Sequence, residues 1–400
     1  MPSKRTQSGD QDSRNPDRAE RTLIRQLRRR AAGSSNSGVR LGIGDDCALL
    51  RLRPGEELAV TTDLSIAGRH FRLDLHPPES VGHRTLARGL SDLAAMGARP
   101  VAAFLSLGLP GELTLPENPN PSRTSHKDSS TPGNSSTWMS RFLDGLLALA
   151  DRYKTPLAGG DLAESPLAVA DIVLTGAVRQ GQALLRSGAR PGDLIYVTGS
   201  LGGAAAALAK LLETDRIGEG PGNSLQGSGF RLSTSSSASP WPGSGAIAAS
   251  RIGSARSGAA KKTEPPDAPV LTPHLFPEPR VAQGLWLVRH RAASAAIDIS
   301  DGISTELTHL CDESHVSSEI DSALLPIHPG ATLAQALHGG EDYELLFTAP
   351  ATFKMPRTIA GIAITRIGCI LKPRRNQPAV NLLTERGSQP LKPQGWEHFS

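Results

Sequence analysis

Short apolar runs and amphipathic stretches alternate along this chain. Residues 58–62, 101–107, 169–178, 194–197, 295–298 and 343–348 predict strands, and Leu157 leads as a further short strand into Gly159-Gly160-Asp161. Residues 78–96 place Leu86, Leu90 and Leu93 at i, i+4 and i+7, which predicts a helix closed by Gly97. Further helices are predicted over 139–153, 201–212, 279–291, 303–313 and 331–337. Asn15-Pro16 marks another helix start, followed by the stripe Leu23, Ile24 and Leu27. The alternation predicts an α/β or α+β protein in two domains, with a boundary near residues 178–188.

Two stretches break the pattern. Residues 110–137 hold Pro116, Pro119, Pro121 and Pro132 among Ser, Asn and Thr. Residues 216–270 are rich in Gly and Ser, with no acidic residue from Gly220 to Ala260. Neither carries enough apolar surface to offset its ordering entropy, so both are expected to be mobile insertions, and residues 1–16 a disordered tail. The expected domains are therefore 17–178 and 179–400, each with one insertion.

Composition narrows the class. Of 400 residues 38% are hydrophobic but only 4% aromatic, so the core is mainly Leu, Ile, Val and Ala. No run of about 18 apolar residues occurs, which excludes a spanning helix, and the polar N-terminus lacks the apolar region of a secretory signal. Cys47, Cys311 and Cys369 are too few and too dispersed for a disulfide scaffold or a Cys-based zinc site, and suit a reducing cytoplasm. Cys47 reads as a small buried core residue. The net charge of +4 does not argue for nucleic acid. Arg21, Arg25, Arg28, Arg29 and Arg30 form either a nucleic-acid patch or a solvated helix face. The absence of interleaved aromatics favours the face.

Acidic residues beside Gly, Ser or Thr carry the candidate chemistry. They are Asp45-Asp46 after Gly44, Asp63 after Thr61-Thr62, Asp92 after Ser91, Asp161 after Gly159-Gly160, the pair Asp298 and Asp301 around Ser300, and Glu341-Asp342 after Gly339-Gly340. Any one of them is commonly a turn residue or helix cap. Six such motifs, if they converge, form an anionic cluster that only cations hold together. Hard oxygen donors without a His or Cys cluster select Mg²⁺, and Mg²⁺ with phosphates points to phosphoryl transfer. The chain has no P-loop, protein-kinase or nucleophile-elbow motif. The turn at residues 198–203 offers backbone N–H groups at a helix start, suited either to an anion or to close strand–helix packing.

Together these motifs resemble those of thiamine-monophosphate kinases, in the superfamily of aminoimidazole ribonucleotide synthetase. The matching text is GIGDDCALL (42–50), TTDLSIAGRHF (61–71), LSDLAAMGARPV (90–101), GGD (159–161), LRSGARPGDLIYVTGS (185–200), IDISDGI (297–303), GGEDYELLFTAP (339–350) and GWEHF (395–399). The resemblance implies a PurM-like two-domain α/β fold, with N-terminal halves pairing into a β-barrel at a homodimer interface and a C-terminal α/β domain. It implies transfer of the ATP γ-phosphoryl group to thiamine monophosphate, giving thiamine diphosphate and ADP, with several Mg²⁺ ions and no general base. Asp46, Thr61, Thr62, Asp63, Asp92, Asp161, Asp298 and Asp301 then fall in the metal shell. Tyr153, Gly160, Asp161, Arg186 and Ser300 fall on ATP, and His70, Glu341 and Trp396 on the acceptor. Thr or a similar polar residue usually follows Gly-Gly-Asp in the family, whereas Leu162-Ala163-Glu164 follow here. Within the same fold the alternatives are an aminoimidazole ribonucleotide synthetase, a selenophosphate synthetase or a hydrogenase-maturation protein. From another class the alternative is a non-catalytic nucleotide-binding or nucleic-acid-binding protein. The Gly-Gly-Glu-Asp-Tyr-Glu and Gly-Trp-Glu-His-Phe blocks favour the thiamine enzyme.

Overall fold

A computed structural model describes residues 27–31, 36–115, 137–218, 268–373 and 379–395. The tail, most of both insertions and Trp396 lie outside the described residues. In chain order the elements are β1 (Val39–Leu41), β2 (Leu49–Leu50), β3 (Glu56–Ile66), α1 (Pro78–Ala95), β4 (Arg99–Leu109), α2 (Trp138–Arg152), β5 (Leu157–Glu164), β6 (Val169–Arg179), β7 (Leu194–Thr198) and α3 (Gly203–Gly218). After the second insertion come α4 (Ala268–Leu275), α5 (Val281–His290), β8 (Ala295–Asp298), α6 (Ile303–Ser314), β9 (Ser317–Asp321), α7 (Leu333–His338), β10 (Leu345–Ala349), β11 (Thr358–Ile359), β12 (Ile362–Leu371), β13 (Val380–Thr384) and β14 (Gly387–Pro390).

These elements divide into two units with interleaved segments. The first takes residues 1–67, 78–184 and 279–291, and the second takes 68–77, 185–278 and 292–400.

In the first unit a four-stranded sheet has the order β3-β6-β4-β5, with β4 and β5 parallel and the other pairs antiparallel. The stripe Leu86, Leu90 and Leu93 is wholly buried on α1. The N–H groups of Gly97 and Ala98 return to Ala94 and Leu93 and close that helix. α2 starts where the Thr137 side chain accepts the Ser140 N–H at 2.9 Å. The two helices touch through glycines. A Cβ on Gly82 would lie 1.9 Å from the Phe142 carbonyl oxygen, and one on Gly145 1.9 Å from that of Glu79.

The strand faces differ in character. Successive side chains alternate between faces, so Leu58, Val60, Thr62 and Leu64 lie opposite Thr61 and Asp63. Leu58, Val60 and Leu64 are 49%, 57% and 46% exposed, an apolar row left open to solvent.

The second unit carries a sheet of order β14-β13-β9-β12-β7-β10-β8, with β11 hydrogen-bonded to β12. Its pairs are antiparallel except β13 with β9. Ile195, Val197, Ile297, Leu307, Leu310, Leu346 and Ile370 form its buried core.

Candidate active site

Asp63 lies within β3 rather than at its end, because β3 continues to Ile66 in register with β6 (Asp63 faces Ile172). α1 runs beneath that face and brings Asp92 to it. The Thr61 hydroxyl donates to Asp92 Oδ2. Burial pushes the Asp63 carboxyl up to about 7, and the neighbouring Asp92 charge pushes the same way, while Arg88 opposes both. Arg88 also donates to the Leu64 carbonyl at 3.2 Å. Two carboxylates and a hydroxyl thus share one half-buried place between strand and helix.

The other N-terminal candidates are placed apart in the chain. Asp46 is exposed between β1 and β2, with its N–H donated to Asp45 Oδ1 at 3.0 Å. Gly44 lies so close to the Arg28 guanidinium that a Cβ would stand 2.5 Å from it. Arg30 donates to Asp144 Oδ1 at 2.5 Å, so the basic run docks onto its own unit through that residue. Asp161 is exposed within β5 and accepts the Leu162 N–H at 3.0 Å. Gly160 before it has φ +147°, and a Cβ there would meet the Leu105 carbonyl oxygen at 1.9 Å, so only glycine fits. Thr62 is exposed on β3. Tyr153 caps α2 and donates its hydroxyl to the Pro279 carbonyl at 2.8 Å. Cys47 is exposed, against the expectation of a buried core residue, because the short strands β1 and β2 leave the loop between them uncovered.

In the second unit β8 ends at Asp298, 4% exposed. Backbone bonds join the loop after it to residues 339–344: Glu341 N–H to Ser300 O at 2.7 Å, Tyr343 N–H to Ile299 O at 3.0 Å and Ile299 N–H to Glu344 O at 2.8 Å. Ser300, Asp301 and Glu341 are therefore neighbours. Buried Glu306 on α6 holds this loop, accepting from Ser300 Oγ and the Asp301 N–H, each at 3.2 Å. Burial and then the Asp301 charge push the Glu306 carboxyl above its ordinary value. Gly395 lies against the same loop, where a Cβ would meet Asp301 O at 1.9 Å. Arg186 is exposed and its carbonyl accepts the Ser314 hydroxyl at 2.8 Å. His70 is half-buried.

The glycine-rich turn at 198–203 already binds an anion of the chain itself. Asp342 accepts the N–H groups of Gly202 at 2.6 Å and Ala204 at 3.0 Å, at the start of α3. Burial nevertheless pushes the Asp342 carboxyl up to about 7, with Glu344 adding and the N–H groups opposing.

Sequence reasoning missed Glu306, His76 and His274. Glu306 carries a signal only as an acidic residue in the first turn of a helix after Asp301-Gly302.

Among the described residues no group of three or more His, Cys, Asp or Glu side chains is gathered to hold a metal ion. The donor chemistry of Asp63, Asp92 and Thr61 nevertheless suits a hard cation: all three present oxygen, and burial together with the neighbouring Asp92 charge raises the Asp63 carboxyl, a cost that a bound cation would offset.

Residues 44–178 match the family AIR synthase related protein, N-terminal domain. A thiamine-monophosphate kinase of Salmonella typhimurium is 35% identical over 380 residues, covering 92% of this chain and 94% of that protein. The chain belongs to the thiamine-monophosphate kinase family. The crystal structure of a thiamine-monophosphate kinase from Stenotrophomonas maltophilia is 32% identical, covers 90% of this chain and 95% of that one, and superposes with a TM-score of 0.63. A structure of AaThiL complexed with AMPPCP and TMP is 26% identical, covers 97% of this chain and 100% of that one, and gives a TM-score of 0.60. Leu162, which follows Gly159-Gly160-Asp161, has a half-buried side chain that offers no hydroxyl.

Proposed function

We propose that this protein transfers the γ-phosphoryl group of ATP directly to thiamine monophosphate, giving thiamine diphosphate and ADP. Identity to a thiamine-monophosphate kinase over nearly the whole of both chains carries this reading, and a relative solved with AMPPCP and TMP supports it. The acceptor's phosphate has its second pKa near 6 and is mostly dianionic at pH 7, so the nucleophile needs no general base. The barrier is electrostatic: two unit charges 4 Å apart interact by about 4 kcal/mol at an effective dielectric of 20.

Asp46, Thr61, Thr62, Asp63, Asp92, Asp161, Asp298 and Asp301 are assigned to Mg²⁺ or its immediate shell. Bound Mg²⁺ neutralises charge on the polyphosphate and on the transferring group. Tyr153, Gly160, Asp161, Arg186 and Ser300 are assigned to ATP, with Arg186 adding positive charge at the phosphates. His70, Glu341 and Trp396 are assigned to the acceptor, Trp396 by stacking on a heteroaromatic ring. The apolar row Leu58, Val60 and Leu64 supports pairing of two N-terminal units into a homodimer. The three dispersed cysteines support a cytoplasmic setting, and no described helix is long and apolar enough to cross a membrane.

Acceptor choice tests the reading. With ATP and Mg²⁺, thiamine monophosphate is consumed and free thiamine is not, because thiamine lacks the nucleophilic phosphate. Turnover of thiamine at a comparable rate would overturn direct phosphate-to-phosphate transfer.

A further inference from the structure

A line of buried imidazoles leads to Glu341. α4 carries His274, 2% exposed, and His76, 5% exposed, stands two residues before α1. Their Nε2 atoms lie 3.0 Å apart, with the rings tilted by 59°. Facing ring nitrogens at that distance need one donor and one acceptor. The Arg72 N–H can only donate and lies 3.1 Å from His76 Nδ1, so that nitrogen accepts; the Arg72 carbonyl stands 3.2 Å from it. The hydrogen-bond pattern therefore assigns the His76 proton to Nε2. That proton points at His274 Nε2, which leaves the His274 proton on Nδ1. His274 Nδ1 lies 3.3 Å from Glu341 Oε2, in close polar contact with it.

Glu341 itself has φ +66°, a left-handed backbone uncommon outside glycine. Its N–H bond to the Ser300 carbonyl fixes that conformation. A strained backbone and an oriented imidazole converge on one half-buried carboxylate. An observed outlier of this kind is a pointer to function.

We infer that His274, its tautomer set by His76, is a positioning residue that holds the Glu341 carboxylate ready for the cationic ring of the acceptor. The inference rests on the assignment of Glu341 to the acceptor. A carboxylate is the natural partner for a thiazolium, which is permanently charged. The histidines act through Glu341, so their effect falls on acceptor binding rather than on the transfer step.

Steady-state kinetics of the full chain tests this. In His274→Ala the KM for thiamine monophosphate rises about tenfold, while kcat and the KM for ATP stay within about twofold, the pattern of lost ground-state binding. His274→Asn, whose amide N–H replaces Nδ1–H, recovers most of the loss. Glu341→Gln raises the acceptor KM to a similar extent, and His274→Ala adds little on that background, as expected for a coupled pair. The inference is overturned if His274→Ala leaves the acceptor KM unchanged while Glu341→Gln raises it. It is equally overturned if His274→Asn fails to recover, or if ATP and acceptor are weakened alike. Should Glu341→Gln leave the acceptor KM untouched, the assignment of Glu341 fails and the inference fails with it, while wild-type turnover of thiamine monophosphate would still stand.

Discussion

Asp63 owes its environment to folding rather than to its place in the sequence. On β3 it is held beside Asp92, to which Thr61 also donates, and its carboxyl is pushed up to about 7 by burial and by Asp92. Asp63→Asn and Asp298→Asn are each expected to lower turnover by about 100-fold or more, the scale of losing one preorganised charge contact. Circular dichroism should show both variants folded, and near-wild-type turnover in either removes that residue from the metal set. Asp342 gives a pH signature instead. Its folded carboxyl is raised to about 7, so over mildly acidic pH the folded chain keeps a proton that the unfolded chain has released. The stability this contributes is full below the ordinary carboxylate range and is lost as pH rises through about 7. Urea unfolding of wild type and Asp342→Asn at about pH 4.5 and about pH 8 should show wild type losing ground to the variant at the higher pH; a pH-independent gap contradicts the shift. The cysteines separate by exposure. Cys47 is open to solvent, whereas Cys311 is fully buried with its thiol pushed up to about 11 by burial. Iodoacetamide at neutral pH should modify Cys47 and spare Cys311 until the protein unfolds, which peptide mass mapping reads directly. Acidic residues beside Gly, Ser or Thr were legible in sequence because the same motif recurs along one chain. Glu306, His76 and His274 were not, because burial and spatial neighbours make them informative and one-dimensional spacing shows neither.

Among the elements, α1 and α2 depend on a crossing that glycine permits. Gly82→Ala and Gly145→Ala each drive a methyl into backbone carbonyl oxygen of the other helix. Each is expected to cost about 1–3 kcal/mol, the usual penalty of overpacking, measured as a lower urea midpoint at unchanged slope. An unchanged midpoint would mean that the helices separate freely. The long elements were legible because their apolar spacing is sustained: the buried stripe of α1 predicts it to within a residue at its C-terminal end. β9, β13 and β14 escaped because Ser317–Asp321, Val380–Thr384 and Gly387–Pro390 are short and partly polar, and only pairing with neighbours makes them strands. The short strand that the sequence starts at Leu157 runs on through Gly159-Gly160-Asp161, because parallel pairing with β4 extends β5 to Glu164. The 198–203 turn was legible as an anion holder, but its partner, Asp342, is 138 residues or more away and only folding reveals it.

The whole molecule is two units built from interleaved segments, and strand–helix alternation predicted two domains but not the exchange of residues 68–77 and 279–291. The open apolar row on β3 belongs to this scale, because an exposed apolar surface of that kind marks an interaction face. Val60→Asp is expected to shift the protein from dimer to monomer in analytical ultracentrifugation, and a wild-type protein that sediments as a monomer contradicts the proposed pairing. The claim on which the rest depends is direct transfer to the acceptor's own phosphate. Phosphorus NMR of the purified protein with ATP, Mg²⁺ and thiamine monophosphate follows both products at once. Thiamine diphosphate and ADP should rise one for one with no inorganic phosphate; inorganic phosphate rising with ADP while thiamine monophosphate persists would contradict the account.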